Sequence, residues 1–492
     1  MSDLTDSLSE EHQRLGRLVT EIIADYARAL DAAPVCSRAT PDQLARLFDE
    51  PPPLDGLPVE DVLRQFTRDA LPHAMNIPSP RYYGLFNPTP LAAGVWADAL
   101  ASALNQNGAA WRNSPSASVI EARVLRWFCE LVGYGPDSFG TMTSGGSEAN
   151  LVALKCARDR AASAARDRGL RHQSEADKGA GALVVYASEQ AHYSFEKSVD
   201  ILGLGRKNLR KIETDARFHL RPEALRREIE RDLSDGNIPV CVAGTAGATS
   251  TGVIDPLNEL ADIAREFKLW FHVDGAYGGA LALSEQHRAK LGGIERADSI
   301  TIDPHKWLFV PFAAGAVLVK DGARVLRDAF DITPEYLSEE RGGADVEFDF
   351  FRYGQLGTRR FNALKVWVAL KTLGTRGYAE IIDRQIELTA YFAASLDGLE
   401  DFERAGEVET AVCCFRFVPR EFAGADGREL DNLQRALQQR IEQSGEAWLS
   451  TTVLHGRRAL RVNVNSFLTQ RRHIDALLKL LERESHQLAE AR

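Results

Sequence analysis

Short, wholly apolar runs separated by amphipathic stretches dominate the middle of the chain. The runs are Ala182-Leu183-Val184-Val185-Tyr186, Pro239-Val240-Cys241-Val242-Ala243, Trp270-Phe271-His272-Val273, Ser299-Ile300-Thr301-Ile302 and Ala316-Val317-Leu318-Val319. Runs this short, without polar alternation, predict strands covered on both faces. Helical patterns lie between and around them. From Ala117 to Val132, Val119, Ile120, Val124, Leu125, Phe128 and Leu131 fall at helical spacing. Asp255-Pro256 predicts an N-cap followed by proline at the first helical position, with the helix running to about Phe267. Buried strands alternating with helices predict an α/β fold over 91–375, with a mainly parallel central sheet flanked by helices. Ligands of such sheets sit at the carboxyl ends of the strands.

The flanking regions read differently. Residues 1–90 predict helices joined by proline-rich connections, with Pro51-Pro52-Pro53 and prolines at 72, 78, 80, 88 and 90 breaking any long helix. A segment so interrupted makes a poor core alone and is expected to pack on another surface. Over 376–492 the order is helix, strand (Val412 to Val418), helix, strand (Leu460 to Val464), helix, which predicts a small α+β C-terminal domain. Arg166 to Gly181 is polar and reads as a helix end and exposed loop.

Composition narrows the function classes. The chain has 492 residues and a formal net charge of −11, which argues against nucleic acid and anionic membrane as partners. No apolar run approaches a transmembrane length, and the acidic start Met1-Ser2-Asp3-Leu4-Thr5-Asp6 lacks an apolar signal core, so a cytoplasmic location is expected. Cys36, Cys129, Cys156, Cys241, Cys413 and Cys414 show no metal-ligand spacing and read as reduced thiols; no metal site is expected.

Three groups at strand ends carry chemistry. Ser299-Ile300-Thr301-Ile302 runs into Asp303-Pro304-His305-Lys306-Trp307, a polar turn that presents one lysine. The strand ending His272-Val273-Asp274 presents one carboxylate. A lysine that bonds an aldehyde and an aspartate that holds a pyridinium nitrogen are the two groups pyridoxal phosphate chemistry needs. Thr143-Ser144-Gly145-Gly146-Ser147-Glu148-Ala149-Asn150 opens a helix, where small residues and free amides suit an anion. Taken singly, each has a plainer reading: a solvated lysine, a strand-end acid, an N-cap.

Together, His305-Lys306-Trp307 and His272-Val273-Asp274-Gly275-Ala276-Tyr277 resemble the group II pyridoxal phosphate decarboxylases, and the resemblance runs from about Pro80 to the C-terminus. It implies a fold-type I enzyme, with pyridoxal 5'-phosphate carried on Lys306 and Asp274 at its ring nitrogen. It puts Gly146, Ser147 and His305 at the phosphate and Thr249 near the ring hydroxyl. His192, in Ala191-His192-Tyr193, would stack on one ring face, and Ala276 would cover the other. Arg359, in Gly357-Thr358-Arg359-Arg360, would hold the substrate α-carboxylate or a nearby structural carboxylate. Tyr336, in Pro334-Glu335-Tyr336-Leu337, would lie on a loop that reaches the other subunit of a homodimer with shared active sites. There it would supply a proton after carbon dioxide leaves; relatives with phenylalanine at that position make aldehydes. Phe86 and Trp111 would line the side-chain pocket. An aromatic L-amino acid is the first substrate class, 2,4-diaminobutyrate or an acidic amino acid the second. An aminotransferase is the nearest rival activity.

Overall fold

The computed structural model describes residues 2–170, 181–332, 349–422 and 426–490. In chain order the strands among them are β1 (Tyr82–Tyr83), β2 (Phe139–Thr143), β3 (Leu183–Ser188), β4 (Leu209–Ile212), β5 (Ile238–Thr245), β6 (Trp270–Asp274), β7 (Ser299–Ile302), β8 (Gly315–Val319), β9 (Phe402–Arg404), β10 (Val412–Phe417), β11 (Trp448–Leu454) and β12 (Arg457–Asn463). The chain divides into two compact units. One is Phe86–Ala393 with Arg404–Cys414; the other is Met1–Leu85, Ala394–Glu403 and Phe415–Arg492.

The larger unit is built on a seven-stranded sheet in the order β2-β8-β7-β6-β5-β3-β4. Only β8 runs against its neighbours; β7, β6, β5, β3 and β4 pair in parallel. Every residue of β3, β6, β7 and β8 is buried, as expected of strands covered on both faces. Helix Gly146–Ala161 packs on this sheet through Ala149, Val152, Ala153, Cys156 and Ala157, in one core cluster with Val185, Ala187, Val240 and Val317. Small side chains on that helix face let its backbone come close to the strands. The register sets Asp274 between Thr245 of β5 and Thr301 of β7.

One helix start departs from its pattern. The helix after β5 is Leu257–Glu266, with Pro256 at the cap position and no side-chain cap. Asp255 turns inward instead and accepts from the amides of Leu220 and Thr245, each at 2.8 Å. It is 4% exposed, and burial pushes its carboxyl up to about 6. Two buried amides outcompeted the helix end for this carboxylate.

The second sheet has five strands in the order β1-β11-β12-β10-β9. Within the smaller unit, β1 pairs in parallel with β11, and Tyr82 stacks on Trp448 with ring centroids 5.3 Å apart. A Cβ at Gly84 would lie 2.0 Å from the Trp448 ring, so only glycine fits there. The fully buried Tyr83 donates its hydroxyl to the His473 carbonyl at 3.0 Å. Strand β11 escapes the apolar-run reading because its Ser450-Thr451-Thr452 centre is only partly buried. No helix among the described residues is long and apolar enough to cross a membrane.

Candidate active site

Five of the parallel strands deliver loops to one edge of the large sheet, and a cavity of about 360 Å³ opens there. It is lined by Lys306, Asp274, Ala276, His192, Gly146, Ser147, Thr249, His305 and Phe86 among others. Nine of the expected site residues thus meet in one place although they span positions 86 to 306. Trp111 and Arg359 do not line it. Tyr336 lies outside the described residues.

Lys306 sits on the turn after β7, its amide bonded to the Asp303 carbonyl at 2.9 Å. Its Nζ is 3.0 Å from Asp303 Oδ2 and 5.8 Å from the centroid of the Phe86 ring. Behind it, Phe86, Tyr277 and Trp307 form a stack with successive centroids 3.8 and 4.4 Å apart. Trp307 Nε1 donates to Gln385 Oε1 at 2.6 Å, which fixes the far end of the stack. The tryptophan of the His-Lys-Trp turn therefore braces the wall beside which Lys306 lies.

Asp274 is 6% exposed, and both its oxygens are tethered. Oδ2 accepts from Asn150 Nδ2 at 2.9 Å and Oδ1 from the Ala276 amide at 3.2 Å. His192 Nδ1 accepts from the Ser194 amide at 3.3 Å, which puts its proton on Nε2. Burial lowers the His192 pKa, partly offset by the Asp274 charge, so the ring is neutral at neutral pH. His305 Nδ1 lies 2.6 Å from the Ala314 carbonyl and 3.1 Å from the Ala314 amide nitrogen, and burial holds this histidine below its ordinary range too.

The glycine-rich turn is built for close approach. A Cβ on Gly146 would lie 2.9 Å from Asp303 Oδ2 and 3.2 Å from Ala276 Cβ, and would fill the floor of the cavity. Gly146 and Ser147 begin helix Gly146–Ala161, whose first amides have no helical carbonyl to bond. Glu148 reaches back to the Ser144 amide and hydroxyl at 2.7 and 2.8 Å and holds the turn. Across the cavity Gly247 has φ +87°, and a Cβ there would meet the Gly278 amide nitrogen at 2.9 Å.

Two buried oxygens at this cavity, Thr245 Oγ1 and Asp303 Oδ1, have no hydrogen-bond partner among the described residues. Buried polar atoms without partners are uncommon in a settled core and mark places where something else binds. The cavity thus offers an amine, a tethered carboxylate, a helix N-terminus and a flat aromatic wall. These suit a planar, phosphate-bearing aldehyde with a ring nitrogen.

Comparison with known proteins decides the family. Residues 41–418 match the pyridoxal-dependent decarboxylase conserved domain. The chain belongs to that family. An aromatic-L-amino-acid decarboxylase from Bacillus atrophaeus is 32% identical over 481 residues, covering 98% of this chain and 97% of the relative. A phenylacetaldehyde synthase from Petunia hybrida is 31% identical, covering 95% and 92%. The crystal structure of Oryza sativa TDC with PLP and tryptamine superposes with a TM-score of 0.91 at 28% identity, covering 97% of this chain and 98% of that one. The protein is a pyridoxal phosphate enzyme, and decarboxylation, not amino transfer, is its family's reaction.

Arg359 is 6% exposed and engaged by this decarboxylase's own framework. Its guanidinium bonds Glu121, the Gly108 carbonyl at 2.9 Å, Thr141 Oγ1 at 3.0 Å and the Met142 carbonyl at 3.1 Å. Of the two partners foreseen for it, a structural carboxylate is the one beside it. The sequence reading passed over Asn150, Thr245 and Tyr277 as separate contributors, although all three line the cavity. A polar Asn150 on the alanine-rich, sheet-facing side of its helix was the available signal.

Proposed function

We propose that the decarboxylase converts an aromatic L-amino acid into the corresponding amine and carbon dioxide. The observation that carries this is the Phe86–Tyr277–Trp307 stack, whose Phe86 end lines the cavity beside Lys306 and offers a flat apolar face to a substrate ring. Among the described residues lining the cavity, Lys306 bears the one permanent positive charge. An acidic substrate side chain would need a second, so diaminobutyrate and acidic amino acids come behind.

Bound pyridoxal phosphate supplies the electron sink for the bond that breaks. In this reading Lys306 Nζ would hold the cofactor through its aldehyde. Asp274 would hold the ring nitrogen, Ala276 and His192 would cover the two ring faces, and Thr249 would stand near the ring hydroxyl. The amides of Gly146 and Ser147, with His305, hold the phosphate. Neutral His192 can donate Nε2–H to the substrate carboxylate without pinning it as an ion. Phe86 receives the substrate ring. Arg359 supports the cavity from behind through Glu121, and Trp111 does not touch substrate in this subunit. Tyr336 delivers the proton that replaces the carboxylate.

The active form in this reading is a cytoplasmic homodimer. Helix Ala92–Leu104 leaves Trp96, Leu100 and Leu104 exposed by 43, 60 and 57%. Spaced four residues apart, they make one apolar stripe that a second copy would cover.

The test is a product assay of the cofactor-loaded protein with tryptophan, tyrosine, phenylalanine, DOPA, glutamate and 2,4-diaminobutyrate. Amine and carbon dioxide in equal amounts from the aromatic set alone is the expected result, with Tyr336→Phe diverting product to aldehyde and ammonia as dissolved oxygen is consumed and reduced to hydrogen peroxide. Turnover confined to glutamate or diaminobutyrate overturns the substrate class.

A further inference from the structure

Behind Asp274 lies a buried polar chain that crosses the sheet. Asn150 Nδ2 donates to Asp274 Oδ2 at 2.9 Å and to Ser194 Oγ at 3.0 Å. Asn150 Oδ1 accepts from Thr301 Oγ1 at 2.7 Å and meets His272 Nε2 at 3.0 Å. His272 Nδ1 is 2.8 Å from Ser299 Oγ, which also accepts from Trp270 Nε1 at 2.8 Å. Asn150, His272, Ser299 and Thr301 are each 1% exposed or less.

Donor and acceptor rules fix the direction of every proton in this chain. An ionised carboxylate can only accept, so Asn150 sets its NH₂ group on Asp274 and its Oδ1 faces His272 Nε2, which must donate; His272 Nδ1 then accepts from Ser299 Oγ, and Ser299 Oγ accepts the indole N–H of Trp270. His272 then carries its proton on Nε2 and gives it to Asn150 Oδ1. Burial holds His272 down to about 4, so it stays neutral and keeps that tautomer at neutral pH. Thr301 gives a second proton to the same oxygen. The carboxamide of Asn150 is thereby used to its full capacity, with two bonds accepted and two donated. The flipped amide would set its oxygen against the Asp274 carboxylate, two acceptors with no proton between them. Only one orientation is left, and it aims an N–H at Asp274.

We propose that Asn150 is a positioning residue for the cofactor, holding the Asp274 carboxylate fixed in rotation beneath the ring nitrogen. Thr301, His272, Ser299 and Trp270 serve to keep its NH₂ group on that carboxylate. This rests on the reading that Asp274 is the partner of the ring nitrogen. Asn150 touches neither cofactor nor substrate in this scheme; it acts through Asp274, which it joins to the core of the sheet. The bond is charge-assisted, and bonds of this kind in a low-dielectric site are worth more than neutral ones.

The experiment reconstitutes holoenzyme with pyridoxal phosphate labelled with ¹⁵N in the ring. It reads the ring-nitrogen chemical shift and, by fluorescence titration, the cofactor dissociation constant. Asn150→Ala is expected to weaken cofactor binding about tenfold to a hundredfold. It is also expected to move the shift toward the unprotonated value. Asn150→Asp, which sets a like charge against Asp274, should do both more strongly. Thr301→Val keeps the shape of the site, removes one donor to Asn150 and should move the shift in the same direction by less; it carries the test if Asn150 variants do not fold. Asp274→Asn is the control. If it leaves the ring-nitrogen shift unchanged, the reading of Asp274 fails and the proposal with it. If Asp274→Asn moves the shift but the Asn150 and Thr301 variants lower only the melting temperature, Asn150 is merely structural and the proposal alone is overturned.

Discussion

Two cation–carboxylate pairs in the large unit are alike in chemistry and differ in what surrounds them. Arg359 and Glu121 are both nearly inaccessible, and the guanidinium also bonds Thr141 Oγ1 and two carbonyls besides the carboxylate. Glu121 in turn accepts from the Met142 amide at 3.0 Å. Lys306 and Asp303 also pair, but Lys306 remains 20% exposed toward the cavity and Asp303 Oδ1 has no partner among the described residues. A buried pair with several such partners marks a tie that holds the fold. An unfinished pair at the mouth of a cavity marks a place where bonds are made and exchanged.

The sharpest way to break the comparison is to delete each cation. Lys306→Ala should leave a folded protein and lower the decarboxylation rate on the order of 10⁴-fold or more, measured by carbon dioxide release. Arg359→Met should do the reverse. It strands Glu121 in the core and should cost about 3–5 kcal/mol in urea unfolding, because a buried charge loses its partner. Equal loss of stability in the two variants would erase the distinction.

His219 supplies a third pair of intermediate kind. It lies between Glu409 and Asp215, and Glu409 is the main cause of a pKa raised to about 9. A histidine whose pKa is raised on folding contributes stability that is complete below about pH 6.5 and is lost as pH rises through about 9. Stability should therefore fall by about 1–3 kcal/mol across that window, and His219→Gln should flatten the slope of the urea midpoint against pH.

The smallest effect on the fold is expected at Asp303. Asp303→Asn keeps the shape and removes a charge whose partner is partly exposed, so stability should change by about 1 kcal/mol or less. Cofactor affinity, read by titration in the same samples, should change while the unfolding midpoint stays. A variant that unfolds like Arg359→Met would place Asp303 among the structural ties.

The sequence made the cavity legible and the ties opaque, for a physical reason. Cofactor chemistry demands particular residue types at strand ends, which singled out Lys306 and Asp274, and the family resemblance added His192 and Gly146. Arg359 and Glu121 are 238 residues apart, and no local pattern links them. The same holds for Asn150, whose partners Asp274 and Thr301 lie 124 and 151 residues away. Doubly covered strands such as β6 and β7 announced themselves as unbroken apolar runs. Strand β11, half-covered and rich in serine and threonine, did not. Asp255 looked like a helix cap because sequence shows only its neighbours along the chain, not the two amides that claimed it.

The most direct test of the unfinished pair is to trap the cofactor where it bonds. Borohydride reduction of the holoenzyme, followed by proteolysis and mass spectrometry, should find the pyridoxyl mass on the peptide containing Lys306, with decarboxylation lost in step. The same mass on another lysine, with Lys306 unmodified and activity lost all the same, would contradict the assignment of this cavity as the catalytic site.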